Sequence, residues 1–431
     1  MTEILNIIFI ISAILWIVHF PILKTQFTLV NKNFYISRSV KISINLGIFV
    51  NLLLLLSFTN ISQKIIFIIL ILLPFINILY LKKKELLNEL IILFLFVFII
   101  SLSVGSNLIL EWDAAEVWIY KVLNFYNSKS FLNLSNMPGD ASYPYLGTYI
   151  WSFFWKNSFI DSEYVGRIFY VFYYCLSIFL IASSEKKNLN KCICTTLFMF
   201  LTLDYYILSG YQEILVFSSL IFIFYFFDKY LEKKEIFYLF PIILFANASI
   251  WFKNEALFFV LFFFIYAFIK SFTKKEKVEG IFFILILTFS ILVITKYFIF
   301  YNYLNVINTG WFNYQITEVE EILKVDYIIS RTLDIFIAII VALIKCKTYI
   351  LFFATIVIFN FKDNFKVVFP YLVYLSCNIF LIFLIYFFTN DPSYQHYLAT
   401  TVDRLFIQTS GIYLIPIYYI LKKYINNNRL F

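Results

Sequence analysis

Apolar residues are laid out along this chain in long uninterrupted runs. Ile65 to Leu81, Leu90 to Leu110 and Ile281 to Ile294 are long enough, at helical rise, to cross most of a hydrocarbon core. The first run, Ile4 to Leu23, has no basic stretch ahead of it, since Glu3 is the only early charge. No small-x-small cleavage site follows it, so it reads as a retained span rather than a signal peptide. Repeated along the chain, such runs leave little room for a separate soluble domain. The pattern predicts an all-α polytopic transmembrane bundle.

The charged residues between the runs set an orientation. Lys24, Lys32, Arg38 and Lys41 follow the first run, and Lys82, Lys83 and Lys84 the third. Further clusters are Lys186, Lys187 and Lys191; Lys229, Lys233 and Lys234; Lys270, Lys274, Lys275 and Lys277; and Lys422, Lys423 and Arg429. Cytoplasmic loops carry the excess of Lys and Arg, so all these clusters are expected inside, the N-terminus outside and the C-terminus inside. That requires an odd number of spans. Two short apolar runs break the parity: Tyr145 to Trp155, between Pro144 and Lys156, and Ile335 to Ile344, between Asp334 and Lys345. Read as interfacial or re-entrant, they leave about thirteen spans and agreement with every Lys cluster. The chain then divides into N-terminal spans (1–110), a long first outer loop with interfacial helices (111–163) and the remaining spans with short outer loops (164–431).

Composition agrees: 431 residues, 62% hydrophobic and only 14% charged, against about a quarter charged in soluble domains. The net charge of +8 resides in the inter-span clusters, which is not the pattern of a nucleic-acid groove. Of five Cys, Cys192 and Cys194 form a lone C-x-C without a second pair, so neither a metal site nor a disulfide framework is expected. The 56 Phe and 33 Tyr accompany abundant Ile, Lys and Asn throughout, so a compositional bias explains them better than sugar stacking does.

The unusual polar residues gather on the predicted outer face. A charge at the bilayer centre costs roughly 2.5–3.5 kcal/mol on insertion scales, so charged residues avoid spans unless function retains them. Glu111-Trp112-Asp113 stands where the fourth span emerges. From Trp112 a helical period places Trp112, Ala115, Ile119, Val122, Leu123 and Tyr126 on an apolar stripe, opposite Asp113, Glu116, Tyr120 and Asn124. Such a helix can lie flat on the outer surface. It would present its carboxylates either as a solvated face or as a base or cation site. Asp140, in the turn Met137-Pro138-Gly139-Asp140 before Tyr143-Pro144-Tyr145, either serves the site or caps the next helix. Glu213 follows Ser209-Gly210-Tyr211-Gln212 at the start of a span. Lys253-Asn254-Glu255 is either a tight hairpin with a local ion pair or part of the site. The segment Asn302 to Asp326 carries Glu318, Glu320 and Glu321. A last outer loop, Asn390 to Arg404, holds His396 and ends in Asp403-Arg404. Arg404 either snorkels beside Asp403 or offers a phosphate its bidentate fork.

In this order and placement the residues resemble the GT-C superfamily of polytopic glycosyltransferases, which includes protein mannosyltransferases and lipid A aminoarabinose transferases. Glu111-Trp112-Asp113 resembles the acidic motif of the first outer loop, and Trp112-Asp113-Ala114 with Trp118 and Lys121 looks like a bacterial branch of it. Tyr143-Pro144-Tyr145-Leu146 resembles the Tyr-Pro segment downstream. Ser209-Gly210-Tyr211 with Glu213, Lys253-Asn254-Glu255 and His396 with Asp403-Arg404 resemble later landmarks. The chain departs from the branch at Glu213, more usually Asp, and at Met137, more usually His. The resemblance runs from about Leu110 to the C-terminus.

It implies a donor sugar on a polyprenyl phosphate or pyrophosphate in the outer leaflet, and a lipid, glycan or protein acceptor. Asp113, with Glu111 or Glu116 beside it, would be the general base, and transfer would invert the anomeric carbon. Arg404, oriented by Asp403, with His396 and Lys253 would bind the donor phosphate, and Asp140, Tyr143, Glu213 and Glu255 would line the substrate site. No cofactor is certain: some members use a divalent cation, Mg or Mn, which Glu111 and Asp113 would hold here, and others use none. Partners are then membrane lipids and the lipid-linked donor, without nucleic acid. The expected place is a bacterial-type cytoplasmic membrane, with the site facing out. Two rivals share this composition. A secondary transporter would carry polar residues at mid-membrane and internal repeats. A polysaccharide polymerase or flippase component would carry its large basic loop late in the chain.

Overall fold

A computed structural model describes residues 2–19, 37–77, 87–127, 130–136, 143, 145–185, 187–204, 208–273, 279–304, 317, 319–389 and 394–427. These residues form helices and connecting turns, with no β-strand among them. The longer helices are α1 (Thr2–His19), α2 (Arg38–Ser57), α3 (Gln63–Asn77), α4 (Leu87–Ser106), α5 (Ile119–Tyr126), α6 (Leu146–Lys156), α7 (Tyr164–Ile181), α8 (Asn188–Thr202) and α9 (Glu213–Lys233). They continue as α10 (Leu239–Phe252), α11 (Ala256–Thr273), α12 (Glu279–Phe298), α13 (Val325–Lys345), α14 (Lys347–Ile358), α15 (Phe361–Phe388), α16 (Tyr394–Ser410) and α17 (Leu414–Asn427). Ten segments among the described residues are long and apolar enough to cross a membrane, and three shorter apolar helices accompany them. The chain is an integral membrane protein.

Burial sorts the helices into two classes. Every residue of α7 is buried, and α9 is buried from Glu213 through Asp228. These two pack on each other at the centre, with α10 and α16 also against α9. At the periphery α12 leaves Phe283, Ile284, Leu287, Ile291, Ile294 and Phe298 exposed, an apolar face that only lipid can solvate.

The run Tyr145 to Trp155 forms the short helix α6, buried from Leu146 to Phe154 and packed against α5 and α7. After Trp112 the chain is helical and opens with a π-helical turn, Ala114–Trp118; Ala114, Trp118, Lys121, Val122, Asn124 and Phe125 are buried, while Trp112, Glu116, Tyr120 and Leu123 are exposed. The loop Asn390 to Arg404 is helical from Tyr394 onward; its first four residues lie outside the described ones, as does Glu318.

The run Ile335 to Ile344, expected to be interfacial or re-entrant, is instead the C-terminal half of the 21-residue α13, which is long and apolar enough to cross a membrane. The charged residues Arg331 and Asp334 of that helix both have partners: Asp334 accepts from Tyr394 Oη, and Arg331 donates through Nη2 to the Thr389 carbonyl at 3.2 Å with its guanidinium 3.3 Å from the Tyr394 ring centroid. The break at Cys346 does not reverse the chain. Pairings run in one sense down both segments: Asp334 with Tyr394, Lys345 with Asp403, Tyr349 with Thr409, Phe352 with Tyr413 and Phe359 with Tyr424. Thus α13–α14 and α16–α17 are parallel, interrupted paths. In a Cys-free background, single Cys at Leu323 and Gln395 should react with an impermeant maleimide from one side, and Cys at Asn360 and Asn427 only from the other. Labelling of Leu323 and Asn360 from the same side would make α13 and α14 a hairpin.

Candidate functional site

The site lies where several elements end on one side of the bundle. Two loops run side by side there. The Glu111 backbone N–H donates to the Ser209 carbonyl at 3.4 Å, and the Glu111 carbonyl accepts from Ala115 N–H at 2.8 Å, opening the helix that carries Asp113. Gly210, with φ +89°, turns the second loop into α9; a Cβ there would lie 2.7 Å from the Trp151 ring and 3.2 Å from Ala114, so only glycine permits the approach. Arg167, wholly buried in α7, joins the two loops. It donates to the carbonyls of Leu208 at 2.7 Å and Ile109 at 3.5 Å, and pairs with Glu163 at 3.0 Å. Sequence reading passed over Arg167, although an arginine inside so apolar a stretch as α7 is itself the signal for it.

Held in this way, charged side chains from four parts of the chain converge. The Arg404 guanidinium, from α16, donates through Nη2 to Asp113 and to Glu213, and through Nε to Glu213 Oε1 at 2.7 Å. Lys253, just past α10, reaches the same Glu213 oxygen at 2.7 Å and Glu255 at 3.5 Å. The Tyr211 ring stacks on Arg404 at 4.7 Å. Burial would lower the Lys253 pKa, but Glu213 and Glu255 more than offset it and hold the ammonium above its ordinary value. Burial pushes the Tyr211 phenol up to about 12 against the pull of Arg404, so its hydroxyl stays protonated at neutral pH. Glu213 is only 1% exposed and its Oε2 has no hydrogen-bond partner; Asp113 keeps 19% of its side chain accessible.

Of the residues singled out from sequence, Asp113, Glu213, Lys253, Glu255 and Arg404 are brought together. Glu111 and Glu116 touch neither Arg404 nor Lys253 among the described residues, and Glu116 is exposed. Asp403 does not orient Arg404: it turns away to Lys345, at 2.6 Å. His396 is exposed on the first turn of α16, about two turns before Arg404, its ring beside Tyr397. Tyr143 belongs to a neighbouring aromatic box with Trp118 and Tyr145 around the buried Lys121, at 4.4–5.2 Å from the ammonium. Asp140 lies outside the described residues.

In this arrangement Asp113 pairs with the Arg404 guanidinium, and among the described residues no group of three His, Cys, Asp or Glu side chains is placed to hold a metal ion. What the cluster offers is a carboxylate at the accessible edge, a forked cation beside it, and an ammonium behind, all at the end opposite the Lys-rich end of α9. Compared with protein-family models, curated proteins and solved structures, the chain matches none.

Proposed function

We propose that this chain is a membrane glycosyltransferase that moves a sugar from a polyprenyl-phosphate-linked donor to a cell-envelope acceptor, with inversion at the anomeric carbon. The observation that carries the reading is the pairing of Asp113 with Arg404, 291 residues apart, in a cluster completed by Glu213 and Lys253. Transfer of this kind needs a base for the acceptor hydroxyl and a cation for the departing phosphate within one sugar's reach. Asp113 takes the hydroxyl proton as the acceptor oxygen bonds to the anomeric carbon. The bond from that carbon to the phosphate oxygen breaks, and its electron pair leaves on the lipid phosphate, where Arg404 and Lys253 stabilise the charge. Glu213 and Glu255 hold Lys253 and flank the sugar. With the Lys-rich end of α9 read as cytoplasmic by the positive-inside bias, the cluster faces outward, which supports a reaction on the outer face of a bacterial-type cytoplasmic membrane.

A second buried pair, Asp228 with Lys270, boxed by Tyr266 and Tyr371, is the observation a transporter reading would rest on, but it stands near the Lys-rich end of α9 and not at mid-membrane. It lies about four turns along α9 from Glu213. Mass spectrometry of cell-envelope glycolipids and glycans, with and without the gene, separates the two. Loss of one defined sugar modification, with its polyprenyl-linked precursor accumulating, is the expected result. An unchanged envelope glycan profile would sink the transferase and leave the transporter.

A further inference from the structure

We infer that Asp113 is an exchangeable, internal stand-in for the ligand phosphate on Arg404, so that phosphate binding is what frees the base. The inference rests on the transferase reading above and assigns that site an order of events: donor first, base second.

The two carboxylates on Arg404 are not equivalent. Glu213 is fixed. It is wholly buried, and one of its oxygens receives Arg404 Nε and Lys253 Nζ, each at 2.7 Å, from two different elements. Displacing it would strand a carboxylate in an apolar interior, where an unpaired charge is most costly. Asp113 is held through a single guanidinium nitrogen, its side chain is 19% accessible, and it stands at the opening of the π turn Ala114–Trp118. Such turns mark places where a helix changes register, and they recur at functional sites. Asp113 is therefore the partner that can leave.

Charge balance says that it must. The cluster holds three carboxylates, Asp113, Glu213 and Glu255, against two cations, Arg404 and Lys253. A phosphate added to Arg404 without a departure would crowd a fourth anion onto two cations. A phosphate that replaces Asp113 keeps the guanidinium paired, by the bidentate geometry arginine makes with phosphate oxygens. The released carboxylate is then beside the bound donor, with its oxygens free to accept a proton. Without donor the base stays masked, which protects against idle chemistry.

Two ligands that compete for one group are coupled, and removing one must strengthen the other. The probe is farnesyl phosphate, with farnesol as the uncharged control, titrated into purified protein in nanodiscs. Asp113→Asn should bind farnesyl phosphate at least about fivefold tighter than wild type, the low end of ordinary coupling, and farnesol no differently. Glu111→Gln and Glu116→Gln, which remove the same charge nearby without touching Arg404, should shift affinity less than twofold. Equal or weaker binding by Asp113→Asn, or equal tightening in all three variants, would overturn the exchange. Should Asp113→Asn fold poorly, wild type still decides. Farnesyl phosphate should speed amide hydrogen exchange across residues 112–118, and unchanged or slower exchange there contradicts release. No sugar transfer enters these readouts. Tightening in a protein that transfers nothing would keep the exchange and discard the transferase; transfer without tightening would do the opposite.

Discussion

Replacing Asp113 with Asn should lower turnover at least about a hundredfold, the lower range for loss of a general base. Asn keeps the shape of the side chain, and its carbonyl oxygen can still accept from Arg404 Nη2. The loss should therefore be chemical, with the melting temperature close to wild type. Tighter donor binding would leave KM unchanged or lower, so the defect should sit in kcat and not be relieved by more donor. Glu111→Gln and Glu116→Gln should do far less, since neither carboxylate reaches the Arg404–Lys253 pair among the described residues. The measurement is transfer from a purified polyprenyl-phosphate sugar, with initial rates and melts for all four proteins. Near-normal turnover in Asp113→Asn, with loss in Glu116→Gln, would move the base one helical turn along.

Which parts of this site could be read from sequence follows from where each residue stands. Asp113, Glu213, Lys253 and Arg404 each interrupt or border an apolar run, and in a chain this hydrophobic a charge at a run's edge stands out. Their convergence on one end follows from counting passes. The partners do not. Arg404 lies beside Asp403 in sequence, yet on a helix adjacent residues point about 100° apart, so Asp403 goes to Lys345 and Arg404 to Asp113 and Glu213. Likewise the run within α13 looked too short because Asp334 and Lys345 bound it, and their tertiary partners, Tyr394 for Asp334 and Asp403 for Lys345, are not local in sequence. Span edges are local in sequence; satisfaction of a buried charge is not.

Removing the Arg404 side chain should be the most damaging single change at the site, for stability and donor binding alike. Arg404→Ala leaves Glu213 with Lys253 alone and Asp113 with no cation. Breaking a buried pair commonly costs about 3–5 kcal/mol, and with Arg404 13% exposed and Glu213 1% exposed this pair is of that kind. Part of the loss should return in Arg404→Ala with Asp113→Asn, which removes one stranded carboxylate, while transfer stays absent. That partial rescue is a signature of a charge network and not of lost packing. Arg404→Lys is the sharper test of function. A single ammonium keeps the charge but cannot span Asp113 and Glu213 with fixed geometry, nor meet a phosphate with two parallel bonds. A charge-assisted hydrogen bond is worth about 1.5–3 kcal/mol, so donor affinity should fall between about tenfold and a hundredfold, with the fold intact by thermal melt. Changing the acceptor should not restore it, because the defect lies in holding the donor. Equal donor affinity and equal turnover in wild type, Arg404→Lys and Arg404→Ala would reduce Arg404 to a structural tie between α16 and α9. The phosphate would then belong to Lys253, which among the described residues is the other cation paired with Glu213.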